Sequence, residues 1–296
     1  MNYVVMDIGG SSIKHAVMNE KAECLTSEKT VTPKQGEGLT FPCLIQIIED
    51  YKQHFQISGV ALSVSGAVDP VSGYVYFAGA VTDLMHKNVK EELQCVNLPV
   101  ELDNDVNCVT LAEKWMGHAT ECQSFVCIAA GTGIGGGIFI NGELYRGNKG
   151  MAGEFGLMTL HYNQELETAI DQYSYSNLGS SRALVANASK KLGYPVTGEV
   201  LFELAEQGNE QALAALDEFY NALAIGAANI IHALAPEKVL IGGGISAQRS
   251  VIDEVKERIR RIREEALDVS EIDRCYFQND AGKVGALYHF LKSAHS

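Results

Sequence analysis

Two segments of the chain share one order of apolar and glycine-rich positions. Residues 3–18 consist of an apolar run, a glycine–serine turn at residues 9–12 and a second apolar run. Residues 125–140 repeat this order around the glycines of residues 131–137. Apolar runs of this length bounded by glycine predict strands, so each segment predicts a strand–turn–strand hairpin. Two glycine-tipped hairpins of the same plan indicate an internal duplication.

Between and after these hairpins, the apolar positions follow the periods of strands and helices in turn. Asn141-Gly142 is a strong hairpin-turn signal and predicts one more strand at residues 143–146. We predict helices at residues 39–53, 106–116, 220–234 and 251–266, and strands at residues 59–64, 100–102 and 239–241. The alternation of strands and helices predicts an α/β architecture.

Composition narrows the class of protein. The chain has 296 residues, of which 46% are apolar and 20% charged, as in ordinary globular proteins, and this length suggests two domains. The formal net charge of -14 argues against nucleic acid as a partner, because a phosphate backbone needs a basic face. It does not argue against ATP, which a local loop can hold inside an acidic protein.

No signal directs the chain to a membrane or to export. Met1 is not followed by a basic region and a long apolar run, and the apolar runs are too short for a membrane span. The seven cysteines include no C-x-x-C pair, which indicates reduced thiols. We therefore expect a cytoplasmic protein without a membrane partner.

The glycines of the second hairpin have the chemistry of a phosphate loop. Residues 131–136 match G-x-G-x-x-G, but a dinucleotide site needs a helix after the glycines, and a strand is predicted there. Backbone N–H groups that no Cβ shields can instead surround phosphate oxygens. The candidates are Gly131, Thr132, Gly133, Gly135 and Gly136. A tight glycine hairpin without a ligand is the alternative interpretation.

The first hairpin repeats this chemistry with charged residues beside it. Candidate phosphate-binding residues here are Gly9, Gly10, Ser11, Ser12 and Lys14. Asp7 could hold a water bound to Mg²⁺. It could equally satisfy the amides of its own turn.

Polar residues follow the predicted strand at residues 100–102. Asn104 and Asp105 directly precede the helix predicted to start at residue 106, so helix capping is one interpretation. The other is that Asp105 accepts the proton of a hydroxyl group. In phosphoryl transfer the base mainly orients the nucleophile and takes its proton late, so an ordinary ionised aspartate is sufficient.

Glu154 lies in the short segment Gly153-Glu154-Phe155-Gly156. A carboxylate held between glycines is well placed to accept hydrogen bonds from sugar hydroxyls. The alternative is an exposed loop glutamate without a ligand. The histidines are scattered singly, which is typical of surface or core positions rather than of metal ligands.

Taken together, these motifs resemble the ROK family of sugar kinases and repressors, within the sugar kinase/Hsp70/actin superfamily. The resemblance runs essentially end to end. The motifs that carry it lie at residues 7–14, 65–73, 98–105, 131–136, 152–156, 242–244 and 281–286. Each motif alone is modest evidence, but all of them in this order are specific.

The resemblance implies a two-lobed, actin-like ATPase fold with duplicated phosphate-binding β-hairpins, in which ATP and the sugar lie in a cleft. It implies a small lobe formed by residues 1–106 and completed by residues 281–296, and a large lobe formed by residues 107–280. A homodimer is also implied.

The resemblance also assigns roles to site residues. It implies that Asp105 is the catalytic base and that Gly66, Asn104 and Glu154 bind the sugar together with Asp105. The two hairpins would hold the phosphates of ATP, whose Mg²⁺ lies near Asp7. Beside the adenosine would lie Gly242, Gly243 and Gly244.

Two departures from the family pattern bear on metal and sugar. Many members carry a histidine and then a zinc-binding cysteine cluster where this chain has Leu157 and no cysteine over residues 158–182, so we expect no structural zinc. The family's following carboxylate aligns with Ser176, and residues 79–82 lack the asparagine of glucose-specific members. Fewer polar groups at the anomeric end favour a substituted sugar, a β-glucoside or an N-acylated hexosamine, over strict specificity for glucose.

The sequence thus predicts an ATP-dependent kinase for the 6-OH of a hexose, an N-acylated hexosamine or a β-glucoside. A sugar-responsive repressor is the alternative. Family repressors carry a helix-turn-helix region before the first hairpin, which here begins at residue 3, so we expect a kinase instead. A non-catalytic sugar sensor is a third class, against which the retention of Asp105 and both glycine loops argues.

Overall fold

The computed structural model describes residues 1–162, 166–277 and 280–293. Its strands are β1 (Asn2–Ile8), β2 (Ser12–Asn19), β3 (Cys24–Val31), β4 (Ile57–Val64), β5 (Ala67–Asp69), β6 (Tyr74–Phe77), β7 (Val100–Asn104), β8 (Phe125–Ala130), β9 (Ile134–Ile140), β10 (Glu143–Tyr145), β11 (Lys238–Gly242) and β12 (Glu271–Arg274). Its α-helices are α1 (Thr40–His54), α2 (Val89–Glu92), α3 (Asp105–Met116), α4 (Leu166–Tyr173), α5 (Tyr175–Gly179), α6 (Ser181–Leu192), α7 (Gly198–Glu206), α8 (Glu210–Leu234), α9 (Arg249–Arg263), α10 (Ala266–Val269) and α11 (Ala281–Ser293).

The chain divides into two compact units. Unit 1 comprises Met1–Thr120, Arg146–Ala152 and Asp280–Ser296, and unit 2 comprises Glu121–Tyr145 and Gly153–Asn279. The lobe boundaries after residues 106 and 280 stay a prediction, and residues 294–296 of the predicted small lobe lie outside the described residues.

Each unit contains a five-stranded sheet of the same plan. The strand order is β3-β2-β1-β4-β7 in unit 1 and β10-β9-β8-β11-β12 in unit 2. In both sheets an antiparallel hairpin is extended by parallel strands, β4 and β7 in unit 1 and β11 and β12 in unit 2. The α/β architecture and the duplicated hairpins predicted from the sequence are therefore confirmed.

Most predicted elements end within a few residues of their predicted bounds, but the helix predicted at residues 220–234 is longer. It is the second half of α8, which begins at Glu210 because the side chain of Asn209 accepts the backbone N–H of Ala212 and caps it. The helix predicted at residues 251–266 is α9, and the short helix α10 follows it. Helices α4 to α7 were not predicted.

Helix α11 packs against the sheet of unit 1 and against α3. The rings of Tyr3 on β1 and Phe290 on α11 lie 5.1 Å apart. A Cβ at Gly285 would lie 1.7 Å from the carbonyl oxygen of Cys108, so glycine is required for this approach of α11 to α3. Helix α11 thus holds α3 next to the parallel strands β4 and β7. Among the described residues, no helix is both long and apolar enough to cross a lipid bilayer.

Candidate active site

The parallel strands of unit 1 bring three predicted site segments to one edge of the sheet. Ile8 of β1 lies opposite Val64 of β4, and Val64 lies opposite Asn104 of β7. The first glycine turn, Gly66 and Asp105 follow directly after these strand ends. Ligands of open α/β sheets bind outside the carboxyl ends of the strands, so these segments form the candidate site of unit 1.

At the junction of β7 and α3, Asn104 is the N-cap residue of the helix, and Oδ1 of Asp105 shares one of its contacts by accepting the N–H of Val106 at 2.9 Å. The Oδ1 atom of Asn104 accepts the backbone N–H groups of Val106 and Asn107 at 2.9 and 3.0 Å. Its Nδ2 atom donates to the carbonyl oxygen of Gly66 and to Oδ1 of Asp105, both at 2.9 Å. Asn104 therefore joins the Gly66 turn to Asp105 and fixes the orientation of the Asp105 carboxylate.

The first glycine turn is closed by its own backbone. Gly9 N–H donates to the carbonyl oxygen of Ser12 at 3.1 Å, and the hydroxyl of Thr32 donates to the carbonyl oxygen of Gly9 at 2.6 Å. Asp7 instead accepts the Ser63 hydroxyl at 2.8 Å and lies 3.6 Å from the ammonium group of Lys14. The alternative interpretation gave the amides of the turn to Asp7, but the Gly9 amide is bound by the carbonyl oxygen of Ser12 instead.

The second glycine turn lies in unit 2 and is fixed by α5 and α6. Gly131 N–H donates to the carbonyl oxygen of Gly133 at 2.9 Å. Arg182 Nε donates to the carbonyl oxygen of Thr132 at 2.9 Å, and the Ser176 hydroxyl accepts the N–H of Ile134 at 2.9 Å. These two contacts could not be predicted from the sequence, because they join segments more than 40 positions apart.

The third glycine segment meets the second at neighbouring strand ends. Gly242 at the end of β11 pairs with Ala129 near the end of β8. Gly243 has φ +92°, and a Cβ there would lie 2.3 Å from the carbonyl oxygen of Ala130. The glycine therefore allows the backbone after β11 to contact the strand that leads into Gly131.

Glu154 is held against β9. Gly153 has φ +88°, and a Cβ there would lie 2.2 Å from the carbonyl oxygen of Gly136. A Cβ at Gly156 would lie 2.2 Å from the carbonyl oxygen of Ile134. The two glycines thus fix Glu154 next to the second glycine hairpin. Burial raises the pKa of the Glu154 carboxyl, so this side chain is not the exposed loop glutamate of the alternative interpretation.

The positions that depart from the family pattern lie beside the same turns. Ala80, in the segment without the asparagine, contacts the first turn, since a Cβ at Gly10 would lie 3.2 Å from its Cβ. In unit 2, Ser176 is the residue that holds Ile134, and the Leu157 side chain is 55% exposed.

The residues at the first turn fit a Mg²⁺ ion whose other ligands are mainly the phosphates of ATP. Mg²⁺ is typically bound through one or two carboxylates together with substrate phosphates and water. The Asp7 side chain is 23% exposed and supplies one such carboxylate. Within the described ranges, no group of three or more His, Cys, Asp or Glu side chains is arranged to hold a metal by itself.

Known proteins are similar to this chain in sequence and in fold over nearly their full length. A β-glucoside kinase from Listeria monocytogenes is 32% identical, with 99% of this chain and 98% of the kinase covered. A ROK family protein from Streptococcus pneumoniae, solved in complex with sucrose, is 30% identical with a TM-score of 0.87, covering 100% of this chain and 99% of that one. A ROK family glucokinase from Streptomyces griseus, in complex with glucose and AMPPNP, is 27% identical with a TM-score of 0.84, covering 97% and 98%.

A model of a whole protein family also matches this chain. The model described as the ROK family matches residues 3–293, which is nearly the entire sequence. The match therefore includes both glycine hairpins, the β7–α3 junction and Glu154. By this match, and by relatives that are similar from end to end, the chain belongs to the ROK family.

Proposed function

We propose that this chain is an ATP-dependent sugar kinase that transfers the γ-phosphoryl group to the 6-OH of a β-glucoside. The observation that carries the proposal is that Asn104 and Asp105 have different positions and contacts at the β7–α3 junction. Asn104 caps the helix, and Asp105 lies at the carboxyl edge of the parallel strands with its Oδ1 held by Asn104. An aspartate in this place lies at the edge of the sheet where ligands of such folds bind.

The chemistry requires little more than position and charge. Phosphoryl transfer passes through a loose transition state, so Asp105 orients the sugar hydroxyl and accepts its proton as the new P–O bond forms. The N–H groups of both glycine turns neutralise charge on the phosphate oxygens. When bound, Mg²⁺ adds further charge neutralisation at the phosphates of ATP. Glu154 accepts hydrogen bonds from sugar hydroxyls.

The preference for a substituted sugar rests on polar groups that this chain lacks. Leu157 occupies the position of a histidine, and Ser176 occupies the position of a carboxylate while its hydroxyl already holds Ile134. Neither residue offers an ionisable group to the anomeric hydroxyl of a free sugar. Replacing this hydroxyl by a glycosidic substituent therefore removes no contact with a charged group. The β-glucoside kinases among the similar proteins support the same substrate class.

The proposal is tested by sugar-dependent ADP release on a panel of sugars. The panel contains glucose, cellobiose, gentiobiose, N-acetylglucosamine and N-acetylmannosamine, with ATP and Mg²⁺. We expect kcat/KM to be highest for the β-linked disaccharides, with the phosphate on the 6-OH by NMR. Turnover of glucose with none of the glucosides would refute the substrate class, and no sugar-dependent ADP release at all would refute the kinase.

The role of Asp105 is tested by Asp105→Asn. The amide cannot accept the hydroxyl proton, and loss of a general base lowers kcat by about 10²- to 10⁴-fold. Sugar binding by calorimetry should persist. Asp50→Asn, on the exposed face of α1, is the matched control and should keep wild-type kcat. Asp105→Asn with more than a tenth of wild-type kcat would remove this residue from its role.

We further propose that the enzyme is a cytoplasmic homodimer that binds no nucleic acid. The family resemblance supports the dimer, and the net charge of -14 supports the exclusion of nucleic acid. Light scattering should give twice the mass of 32.0 kDa. A monomer at micromolar concentration would contradict the dimer.

A further inference from the structure

A buried ion pair lies directly behind the β7–α3 junction. The side chain of Asp103 is 0% exposed, and Arg146 donates to its Oδ2 atom through Nε at 3.0 Å and Nη2 at 2.6 Å. Two N–H groups of the guanidinium thus converge on one carboxylate oxygen, and hydrogen bonds between two charged groups are stronger than neutral ones. The two residues are 43 positions apart and both belong to unit 1.

Asp103 also binds residues on both sides of Asp105 in the sequence. Its Oδ1 atom accepts the backbone N–H of Asn104 at 2.8 Å and the side-chain Nδ2 of Asn107 at 3.1 Å. Asn104 in turn caps α3 and donates to Asp105. Arg146 therefore holds the carboxylate that positions the residue before Asp105 and the residue one half-turn after it.

The segment that carries Arg146 is itself fixed on unit 1. The carbonyl oxygen of Arg146 accepts the N–H of Ala152 at 3.0 Å, which closes residues 146–152 into a loop. Gly150 of this loop packs so closely on β5 that a Cβ would lie 2.4 Å from the carbonyl oxygen of Val68. The backbone that carries the guanidinium is thus held in place on unit 1.

Arg146 supplies a permanent positive charge in contact with Asp103. Nδ1 of His289 on α11 is 3.9 Å away, but burial, more than the opposing effect of Asp103, lowers the pKa of His289, so the ring is neutral near pH 7. Lys90 pairs with Glu101 at 2.9 Å. Burial, and after it the charges of Asp103, Asp7 and Asp105, raises the pKa of the Cys108 thiol, which stays neutral. The surrounding elements also carry the charged side chains of Asp69 on β5 and Lys283 on α11.

We propose that Arg146 is a positioning residue for the kinase reaction, which orients Asp105 through Asp103 and balances the Asp103 charge next to it. The inference rests on the proposed function of Asp105. Without the guanidinium, any negative charge left on Asp103 would be an unbalanced like charge near the base and would make Asp105 easier to protonate. A residue with a purely structural role would change the amount of folded enzyme but not the acidity of the base.

The test compares Arg146→Met, Arg146→Lys and the neutral double variant Asp103→Asn/Arg146→Met with wild type. The acid limb of the kcat/KM–pH profile reports the base of the free enzyme, and using the same sugar and ATP for every variant makes the contribution of substrate ionisation equal in all profiles. We expect the acid limb of Arg146→Met to move up by about one pH unit. The limb should return to its wild-type position in the neutral double variant.

The kcat values separate orientation from charge. Arg146→Lys keeps the charge but loses the two-point contact, so its acid limb should stay in place while kcat falls about tenfold, and kcat of Arg146→Met should fall about 100-fold. Sugar-binding stoichiometry near one per chain shows that the protein is folded. Arg261→Met, exposed on α9, is the control and should match wild type.

The two levels of the proposal fail differently. If the acid limb of Arg146→Met lies at the same pH as that of wild type, the proposed role of Arg146 is wrong, whatever the kcat of the variant. The proposed kinase function still stands in that case, provided that the wild-type enzyme turns over the sugar. If Arg146→Met does not fold, the decision passes to Arg146→Lys, since wild-type kcat in that variant also overturns the role. No sugar-dependent turnover in wild type refutes the proposed function instead.

Discussion

At the residue scale, the junction of β7 and α3 assigns different tasks to neighbouring polar side chains. Asn104 uses both lone pairs of its oxygen on the helix N-terminus and both amide hydrogens on Gly66 and Asp105. Asp103, one residue earlier, points to the buried side and binds Arg146. The sequence allowed either capping or catalysis for this run of residues, and the structure gives capping to Asn104.

Glu154 supports a prediction at the same scale. Burial raises the pKa of this carboxyl, so the folded protein binds a proton there more readily than the unfolded chain does. The cost of burying the ionised group is absent well below the ordinary value of 4.5 and grows as pH rises through the raised pKa. Glu154→Gln should therefore have an equal or higher Tm than wild type at pH 8, and this difference should vanish at low pH.

The same variant should bind sugar poorly. A lost hydrogen bond to a charged group costs about 1.5–3 kcal/mol, so KM for the sugar should rise by about 10- to 100-fold. Scanning fluorimetry at both pH values and steady-state kinetics measure the two effects, with the exposed Glu143→Gln as control. A wild-type KM would show that Glu154 does not contact the sugar.

At the scale of elements, periodicity and turn residues predicted what is local. The two glycine hairpins, the Asn-Gly turn before β10 and helices α1, α3 and α9 lie close to their predicted positions. The helices between residues 166 and 206, most of which are short, and the first half of α8 were missed. Packing against other elements rather than intrinsic preference stabilises such helices.

The contact of α11 with α3 gives a prediction at this scale. Because a Cβ at Gly285 would overlap the backbone of Cys108, Gly285→Ala must push the two helices apart, which costs about 1–3 kcal/mol or more. We expect Tm to fall by several degrees and kcat to fall with it, since the first residue of α3 is Asp105. Gly198→Ala at the start of α7 is the control, because among the described residues no atom lies within 4 Å of its added Cβ. Equal Tm values for both variants would contradict this packing.

At the scale of the whole molecule, the net charge of -14 acts on every part of the chain. When the chain folds into a compact shape, its like charges come closer and repel one another. Salt screens this repulsion, because the Debye length shrinks as ionic strength rises. We expect Tm to rise between about 20 mM and about 300 mM NaCl. Scanning calorimetry checks this, and a Tm that falls with salt would show that attractive ion pairs outweigh the repulsion.

The sequence by itself determined the features that depend on neighbouring residues. These are the duplicated hairpins, the glycines that expose backbone N–H groups, and the presence of Asn104 and Asp105 between a strand and a helix. Only the tertiary structure decided which side chains meet across long separations, such as Arg146 with Asp103 and Ser176 with Ile134. Periodicity and turn chemistry act over a few residues, whereas these partners depend on the register of parallel strands and on glycines that allow close backbone approach.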